Sequence, residues 1–251
     1  MTENFGDIQM TTRMIEFSPQ VYARITGVLY LIVIILGAAQ QLLVRGSIIV
    51  PGDVAATAAN LRSMEFLWRL GIASELFLGI CTIVMALTLY ALLKPVSRDL
   101  ALLATFINLV AITVEIGYAL KLVEALYPLG SAEYLKAFTP EQLYAMTNLA
   151  IRAHGNGFGI ALLLFGCFFP LAAYLIFKSG YFPKTIGVLY FIPGLSYGLS
   201  SLALILAPAF AERYYFAIAV PAIIGEAALC LWLLVKGVNI EQWQKRVLET
   251  G

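Results

Sequence analysis

Seven polar side chains interrupt the long apolar stretches of this sequence, and they are its candidates for chemistry. They comprise three carboxylates, two amides, one arginine and the single histidine of the chain: Glu75, Asn108, Glu115, Arg152, His154, Asn156 and Glu226. A charged side chain at the centre of a bilayer costs about 2.5–3.5 kcal/mol, and it usually faces a cavity or a partner. The pattern therefore predicts a set of ligand-binding residues.

The histidine lies in the stretch IRAHGNGFG, where a long apolar run begins. Arg152 and Asn156 are four residues apart and can share one helix face, whereas His154 points to another side. His154 could therefore serve a polar site. Alternatively, Arg152 and His154 anchor the helix at the membrane interface, beside a close helix crossing at Gly155 and Gly159.

The carboxylates occupy related depths in their spans. Glu75 lies about 14 Å from the end of its span on the side opposite both termini, called here the outer side. Glu115 shares a helix face with Asn108 and lies in the outer half of its own span, while Glu226 lies near mid-span. We expect these groups and His154 to line one crevice that opens outward. The alternative is that each one only bonds a neighbouring helix.

The residue set favours a protein that is not an enzyme, with no cofactor and no metal. GLSYG resembles the nucleophile motif of hydrolases, but that motif acts on a strand-to-helix turn. Ser196 in this stretch and His154 would differ in depth by about 15 Å, too far for a nucleophile and its base. Cys81, Cys167 and Cys230 all fall inside apolar runs and show no metal-ligand spacing.

Composition identifies the solvent of this chain as lipid. Apolar residues make up 61% of the 251 residues and charged residues 12%, against about 45–50% and about 25% in soluble domains. Membrane lipids are therefore expected partners, together with a small ligand in the crevice. The net charge of +1 argues against a nucleic-acid partner. No oligomeric state follows from the sequence.

Six apolar runs are long enough to cross a bilayer, which takes about 20 residues. None shows the alternation of a barrel strand, so we predict an all-α bundle of six transmembrane helices. The predicted spans are approximately 22–44, 66–93, 100–126, 153–177, 186–206 and 214–235.

Lysine and arginine counts predict the orientation of the bundle. The side with both termini has nine: Arg13, Arg24, Lys94, Arg98, Lys178, Lys184, Lys236, Lys245 and Arg246. The opposite side has six, apart from the intramembrane Lys121: Arg45, Arg62, Arg69, Lys136, Arg152 and Arg213. This bias predicts that both termini lie in the cytoplasm.

The chain divides into a cytoplasmic N-terminal segment, 1–21, a transmembrane domain, 22–236, and a cytoplasmic tail, 237–251. Its two long loops both lie on the outer side and are expected to contain short interfacial helices. Asp53 is a predicted N-cap in the first loop, and Thr139 begins a capping-box pattern in the second.

Two further patterns concern the helices themselves. GVLY occurs at residues 27–30 and again at 187–190, each time three residues after a basic residue. This echo suggests either a parallel repeat or simply two spans with similar anchors. Pro170, Pro193 and Pro221 lie inside the last three spans, where each removes a backbone hydrogen bond.

Several longer segments resemble a known family. RITGVLYLIVIILG, LVRGSIIVPGDVAATAANL, LWRLGIASEL and KSGYFPKTIGVLY are similar, in this order, to the bacterial membrane proteins grouped as domain of unknown function 4386. The resemblance runs from about Arg24 to the last span. It implies an inner-membrane protein with about six spans, and it implies no activity, substrate or catalytic residue.

Three functional hypotheses follow. The first is a protein that binds or transports a small polar or amphipathic ligand in the outward crevice. The second is a non-catalytic scaffold that docks a partner protein and uses its polar groups to hold helices together. The third is a lipid-acting enzyme. It ranks last, because no pair of nucleophile and base is visible in the sequence.

Overall fold

The computed structural model describes residues 18–250, which are helical and contain no strand. Six helical segments are long and apolar enough to cross a bilayer, so the protein is a multi-pass membrane protein and the predicted all-α bundle is confirmed. Residues 1–17 of the predicted N-terminal segment lie outside the described residues. The six segments are Pro19–Ile48, Glu65–Leu93, Arg98–Leu129, Pro140–Lys178, Lys184–Leu206 and Ala217–Val235.

Nine α-helices are described. The first two are joined by a π-helix, Gln40–Arg45, and two short 3₁₀-helices, Tyr127–Leu129 and Glu133–Ala137, lie before α6. The α-helices are α1 Pro19–Ala39, α2 Gly46–Ile48, α3 Val54–Ser63, α4 Glu65–Leu93, α5 Arg98–Glu124, α6 Pro140–Lys178, α7 Lys184–Leu206, α8 Pro208–Val235 and α9 Ile240–Thr250.

The six spans form a closed ring in the order α1, α4, α5, α6, α7, α8, with α8 packed back against α1. We call the side where α1 begins and α8 ends the terminal face. The opposite side, which carries α3 and the 3₁₀-helices, is the loop face. The closed ring explains why the large exposed apolar side chains are spread over every span: they face lipid.

The start of the first span holds the end of the last one. The guanidinium of Arg24 donates to the carbonyl oxygens of Leu233, at 2.9 Å, and of Leu234 and Val235. The last carbonyls of a helix have no partner within that helix, so a basic side chain from α1 completes them. This contact closes the ring of helices at the terminal face.

The second long loop differs from the prediction. Thr139 forms the predicted capping box with Gln142, but the helix that begins there does not stop before the membrane. It continues as α6 through Pro170 to Lys178. Between Thr139 and Gly155 the sequence contains no glycine, and its only proline is Pro140, the first residue of the helix, so nothing there ends a helix. The predicted separate interfacial helix is therefore the first part of span four.

Glycines set the closest helix crossings, although at other positions than predicted. A Cβ atom on Gly166 of α6 would lie 2.9 Å from the backbone nitrogen of Gly198 in α7, so these two helices touch through their backbones. Gly159 receives the side chain of Leu204, but Gly155 has open space where a side chain would be. The predicted crossing at Gly155 and Gly159 is therefore only half correct.

The buried apolar side chains form two clusters. The larger one lies toward the terminal face and includes Leu92, Ile176 and Leu233. The smaller one lies at the loop face around Ile48 and Trp68. The indole Nε1 of Trp68 donates to the carbonyl oxygen of Leu122, 2.9 Å away, which fixes the start of α4 against the end of α5. The second cluster surrounds the site described next.

Candidate functional site

A buried group of four polar side chains joins three spans toward the loop face. Glu75 of α4 is 4% exposed, and one carboxylate oxygen lies 2.7 Å from Nε2 of His154 in α6. The other accepts hydrogen bonds from Nε2 of Gln40 at 2.8 Å and from Nη2 of Arg45 at 3.0 Å. A buried carboxylate needs this number of donors to offset its desolvation. We call these four residues the Glu75 cluster.

The π-helix brings two members of the Glu75 cluster together. Gln40 and Arg45 are its first and last residues, and a π-helix pairs residues five apart instead of four. Their side chains therefore reach the same carboxylate from one helix. Gln40 also donates to the carbonyl oxygen of Gly71, at 3.2 Å, which fixes the π-helix against α4.

His154 is a buried residue of the bundle. Its side chain is 2% exposed, and Nε2 lies 3.4 Å from Nη2 of Arg45 in addition to its contact with Glu75. The expected convergence of His154 with the carboxylates is present for one of them, Glu75. The alternative, an interfacial anchor at the membrane surface, is wrong for His154, because such an anchor keeps its polar end in water.

An open cleft of about 330 Å³ lies beside the Glu75 cluster. Its polar lining consists of Gln41, Arg45 and His154. Its apolar lining consists of Ile49, Trp68, Leu122 and Ile151, and Gly46 and Gly155 leave part of the wall without side chains. We call this space the loop-face cleft. Its mixed lining is typical of a small-molecule site, in which apolar walls surround a few converging polar groups.

Arg45 connects the cluster with the cleft. Its side chain is 21% exposed, against 4% for Glu75. Nη2 makes the contacts with Glu75 and His154, and no hydrogen bond joins Nη1 or Nε to another side chain or backbone group of residues 18–250. Arg45 thus lines the cleft with a partly exposed guanidinium that keeps unused donors, and its charge is paired with the carboxylate of Glu75.

The other carboxylate of the predicted crevice is close to this cluster. Glu115 of α5 is partly buried and interacts electrostatically with Glu75 and Arg45. Asn108 shares its helix face but lies about 11 Å nearer the terminal face by helical rise. The amide of Asn108 is 2% exposed, and its Oδ1 has no hydrogen-bond partner within the described chain. Asn108 does not line the cleft.

Two predicted site residues lie elsewhere on the surface of α6. Arg152 and Asn156 are both exposed, on the side of the helix opposite His154. They share a face, as their spacing predicts, but that face does not turn toward Glu75 or the cleft. Their inclusion among converging residues is corrected: a spacing of four residues fixes a common face and does not say which neighbour the face meets.

Glu226 belongs to a second polar group. Tyr197 of α7 donates to its carboxylate, and the hydroxyl of Tyr30 lies next to it. Glu226 is about 14 Å from the terminal-face end of α8, whereas Glu75 is about 27 Å from the same end of α4. The expectation that all the carboxylates share one crevice is therefore wrong for Glu226, which lies at a different depth among tyrosines.

The repeated tetrapeptide contributes to this second group. Tyr30 and Tyr190, the last residues of the two GVLY copies, have hydroxyl oxygens 3.4 Å apart and rings arranged edge to face. Their helices run in the same direction from the terminal face. The echo in the sequence thus marks two side chains that meet beside Glu226. The group Tyr30, Tyr190, Tyr197 and Glu226 is called the tyrosine group.

Two residues of the cluster were not among the predicted ligands. Arg45 was counted among the basic residues of the outer side, and Gln40 was left out of the predicted ligands. A signal for both existed, because QQLLVR lies at the end of a span and carries polar residues at both ends. Among residues 18–250 no group of three or more His, Cys, Asp or Glu side chains could hold a metal ion.

Comparisons with known proteins identify the family. An uncharacterized protein from the archaeon Archaeoglobus fulgidus is 29% identical over 163 residues, which cover 65% of this chain and 81% of that protein. No solved structure matches the chain significantly. The family model described as Domain of unknown function (DUF4386) matches residues 25–237, from the first turns of α1 past the end of α8. The chain therefore belongs to the DUF4386 family.

Proposed function

We propose that this membrane protein binds a small amphipathic ligand in the loop-face cleft. The observation that carries the proposal is the pairing of an open cleft of about 330 Å³ with a preorganised polar wall, Arg45 and His154. Ligand sites in proteins commonly have volumes of about 300–1,000 Å³, so the cleft is at the small end of this range.

The Glu75 cluster supports binding better than a purely structural role. A scaffold needs its buried carboxylate paired, and Glu75 is paired. A scaffold does not need a cleft beside that pair, with a guanidinium that keeps donors unused. The cluster fixes the orientation of Arg45 and His154 in advance, which lowers the entropy lost when a ligand binds.

Gly155 offers the sharpest test. It lines the cleft and has open space where a Cβ atom would point, so Gly155→Leu adds a side chain at the cleft wall without a clash at Cβ. Gly117→Leu is the matched control, because Gly117 is exposed, also has open space, and does not line the cleft. Both variants place leucine inside a helix, where it is more favourable than glycine.

The measurement is saturable binding of octyl probes to the full chain in nanodiscs, with octanoate, octanol and octylamine each titrated separately. We expect at least one probe to bind the wild type and Gly117→Leu equally. Gly155→Leu should bind that probe at least tenfold more weakly, with an unchanged or higher thermal unfolding temperature. Equal binding to all three proteins, or no saturable binding of any probe, would contradict the proposed function.

We also propose that the protein resides in the inner membrane with both termini in the cytoplasm. The bias of lysine and arginine toward the terminal face supports this orientation. A reporter that fluoresces only in the cytoplasm, fused after residue 251, should be active, and one inserted in the loop between α2 and α3 should not. The reverse pattern would contradict this orientation.

A further inference from the structure

We infer that the ligand of the loop-face cleft is a small organic anion: one carboxylate or phosphate-type group on a short apolar body. This inference rests on the proposed function and adds the chemical class of the ligand. It follows from which polar atoms reach the cleft, from their depth, and from the volume available.

The polar wall of the cleft contains one cation, Arg45, and no carboxylate. Gln41, Arg45 and His154 line it, whereas Glu75 is covered by its partners. Both carboxylate oxygens of Glu75 are already engaged, one by His154 and the other by Gln40 and Arg45. A cationic ligand would therefore find no free acceptor of opposite charge in this wall.

Arg45 is suited to hold an oxyanion. Since Nη2 is engaged by the cluster, Nη1 and Nε remain to donate single hydrogen bonds to an oxyanion, which the permanent positive charge of the guanidinium attracts. Glu75 and His154 restrain the side chain from behind. The arginine thus needs little further ordering when an anion arrives.

The apolar wall lies nearer the membrane surface than the polar wall. Trp68 is about 5 Å from the loop-face end of α4, and Glu75, which marks the depth of the cluster, is about 15 Å from that end. The indole N–H of Trp68 is used by the carbonyl oxygen of Leu122, so the ring offers an apolar face. A ligand would enter with its anionic group first and leave its apolar body between Trp68 and Ile151.

The volume selects a small ligand over a membrane phospholipid. About 330 Å³ corresponds to roughly eleven waters at about 30 Å³ each. A single short chain with one anionic group would be held within this space, whereas the two acyl chains of a phospholipid would extend out of it. The same anionic chemistry occurs on lipid headgroups and on inorganic phosphate, so the experiment separates these sources.

The test compares headgroups on a constant octyl chain. Octanoate and octyl phosphate should bind the full chain in phosphatidylcholine nanodiscs at least tenfold more tightly than octanol or octylamine. Arg45→Gln should remove this preference, and Arg45→Lys should retain part of it because the charge remains. Arg152→Gln is the matched control: it removes an exposed arginine of α6 outside the cleft and should retain the full preference.

The contradicting outcomes are distinct from those of the proposed function. Equal binding of octanol and octanoate, both lost in Gly155→Leu, would overturn the anion inference and leave the cleft as a binding site. If inorganic phosphate competed with octanoate as strongly as octyl phosphate does, the apolar body would contribute nothing to binding and that part of the inference would be overturned. Displacement of octanoate in phosphatidylglycerol nanodiscs would assign the site to lipid headgroups and overturn the small ligand. The wild-type order of probes decides the inference even if Arg45→Gln does not fold.

Discussion

Nε2 of His154 and Oε1 of Glu75 lie 2.7 Å apart and join α6 to α4, two spans that are separated by α5 in the ring of helices. Most contacts in the bundle are between ring neighbours, so this pair is a direct link between two spans that are not neighbours. The contact brings a polar residue of the long α6 against the wall formed by α4 and the π-helix. We expect the shape of the loop-face cleft to depend on this contact between His154 and Glu75.

Glu75→Gln should destabilise the protein by about 1–3 kcal/mol, because the partly buried guanidinium of Arg45, 21% exposed, loses its counterion. The loss should appear as a lower thermal unfolding temperature in detergent. The double variant Glu75→Gln with Arg45→Gln should recover part of the loss, since removing both charges removes the unpaired one.

Glu124→Gln serves as the matched control for Glu75→Gln. Glu124 pairs with Lys121 at 2.7 Å, but both side chains are about a third exposed, and exposed ion pairs contribute roughly 0–1 kcal/mol. Equal losses in Glu75→Gln and Glu124→Gln would show that the buried pair has no special role in stability.

Composition and run length predict the architecture well, because a membrane span must satisfy its backbone internally and is therefore a long apolar helix. The same logic identifies Glu75 and His154 as candidate site residues, since a polar side chain inside a span needs a polar partner or a cavity to offset its cost in lipid. Local pairs are predictable too: Lys121 and Glu124 are three residues apart on one helix, a spacing that favours an ion pair, and they form one.

Which spans face each other is not predictable from one sequence, and this limits the site prediction. Glu226 was grouped with Glu75 because both lie inside spans, yet the ring order puts Glu226 among tyrosines of α1 and α7. Arg45 was missed because a π-helix carries span one further and turns its last residue inward. A regular α-helix would present Gln40 and Arg45 on different faces.

The crossing of α6 and α7 predicts opposite results for two neighbouring glycines. Gly166→Ala should destabilise the bundle by about 1–3 kcal/mol, because its Cβ atom would meet the backbone of Gly198 at 2.9–3.0 Å, and backbone cannot move aside cheaply. Gly198→Ala should be neutral or slightly stabilising, since nothing lies within 4 Å of that Cβ position. Thermal unfolding of the two variants checks this, and a larger loss for Gly198→Ala would refute the crossing geometry.

Arg24→Leu should destabilise the bundle by about 1.5–3 kcal/mol, the range for hydrogen bonds to charged groups, because the last carbonyls of α8 lose their donors. Arg98→Leu is the control, since Arg98 is exposed at the same face. Both variants remove one positive charge from the terminal face, so any effect on the orientation of the protein in the membrane should be equal in the two. Unfolding temperatures that drop equally would argue against the capping role of Arg24.

The tyrosine group predicts a strong coupling between Tyr197 and Glu226. Tyr197→Phe should cost about 1–3 kcal/mol, because the partly buried carboxyl group loses a donor while the ring keeps its packing against Phe169, 5.4 Å between centroids. In the Glu226→Leu background the same change should cost much less, since no carboxyl remains to be left unpaired. The double-mutant cycle should therefore give a coupling of about 1 kcal/mol or more. Tyr174→Phe, on an exposed tyrosine of α6, is the control and should show no coupling with Glu226→Leu. If the losses from Tyr197→Phe and Glu226→Leu were also additive, the hydroxyl of Tyr197 would contribute nothing to stability through Glu226.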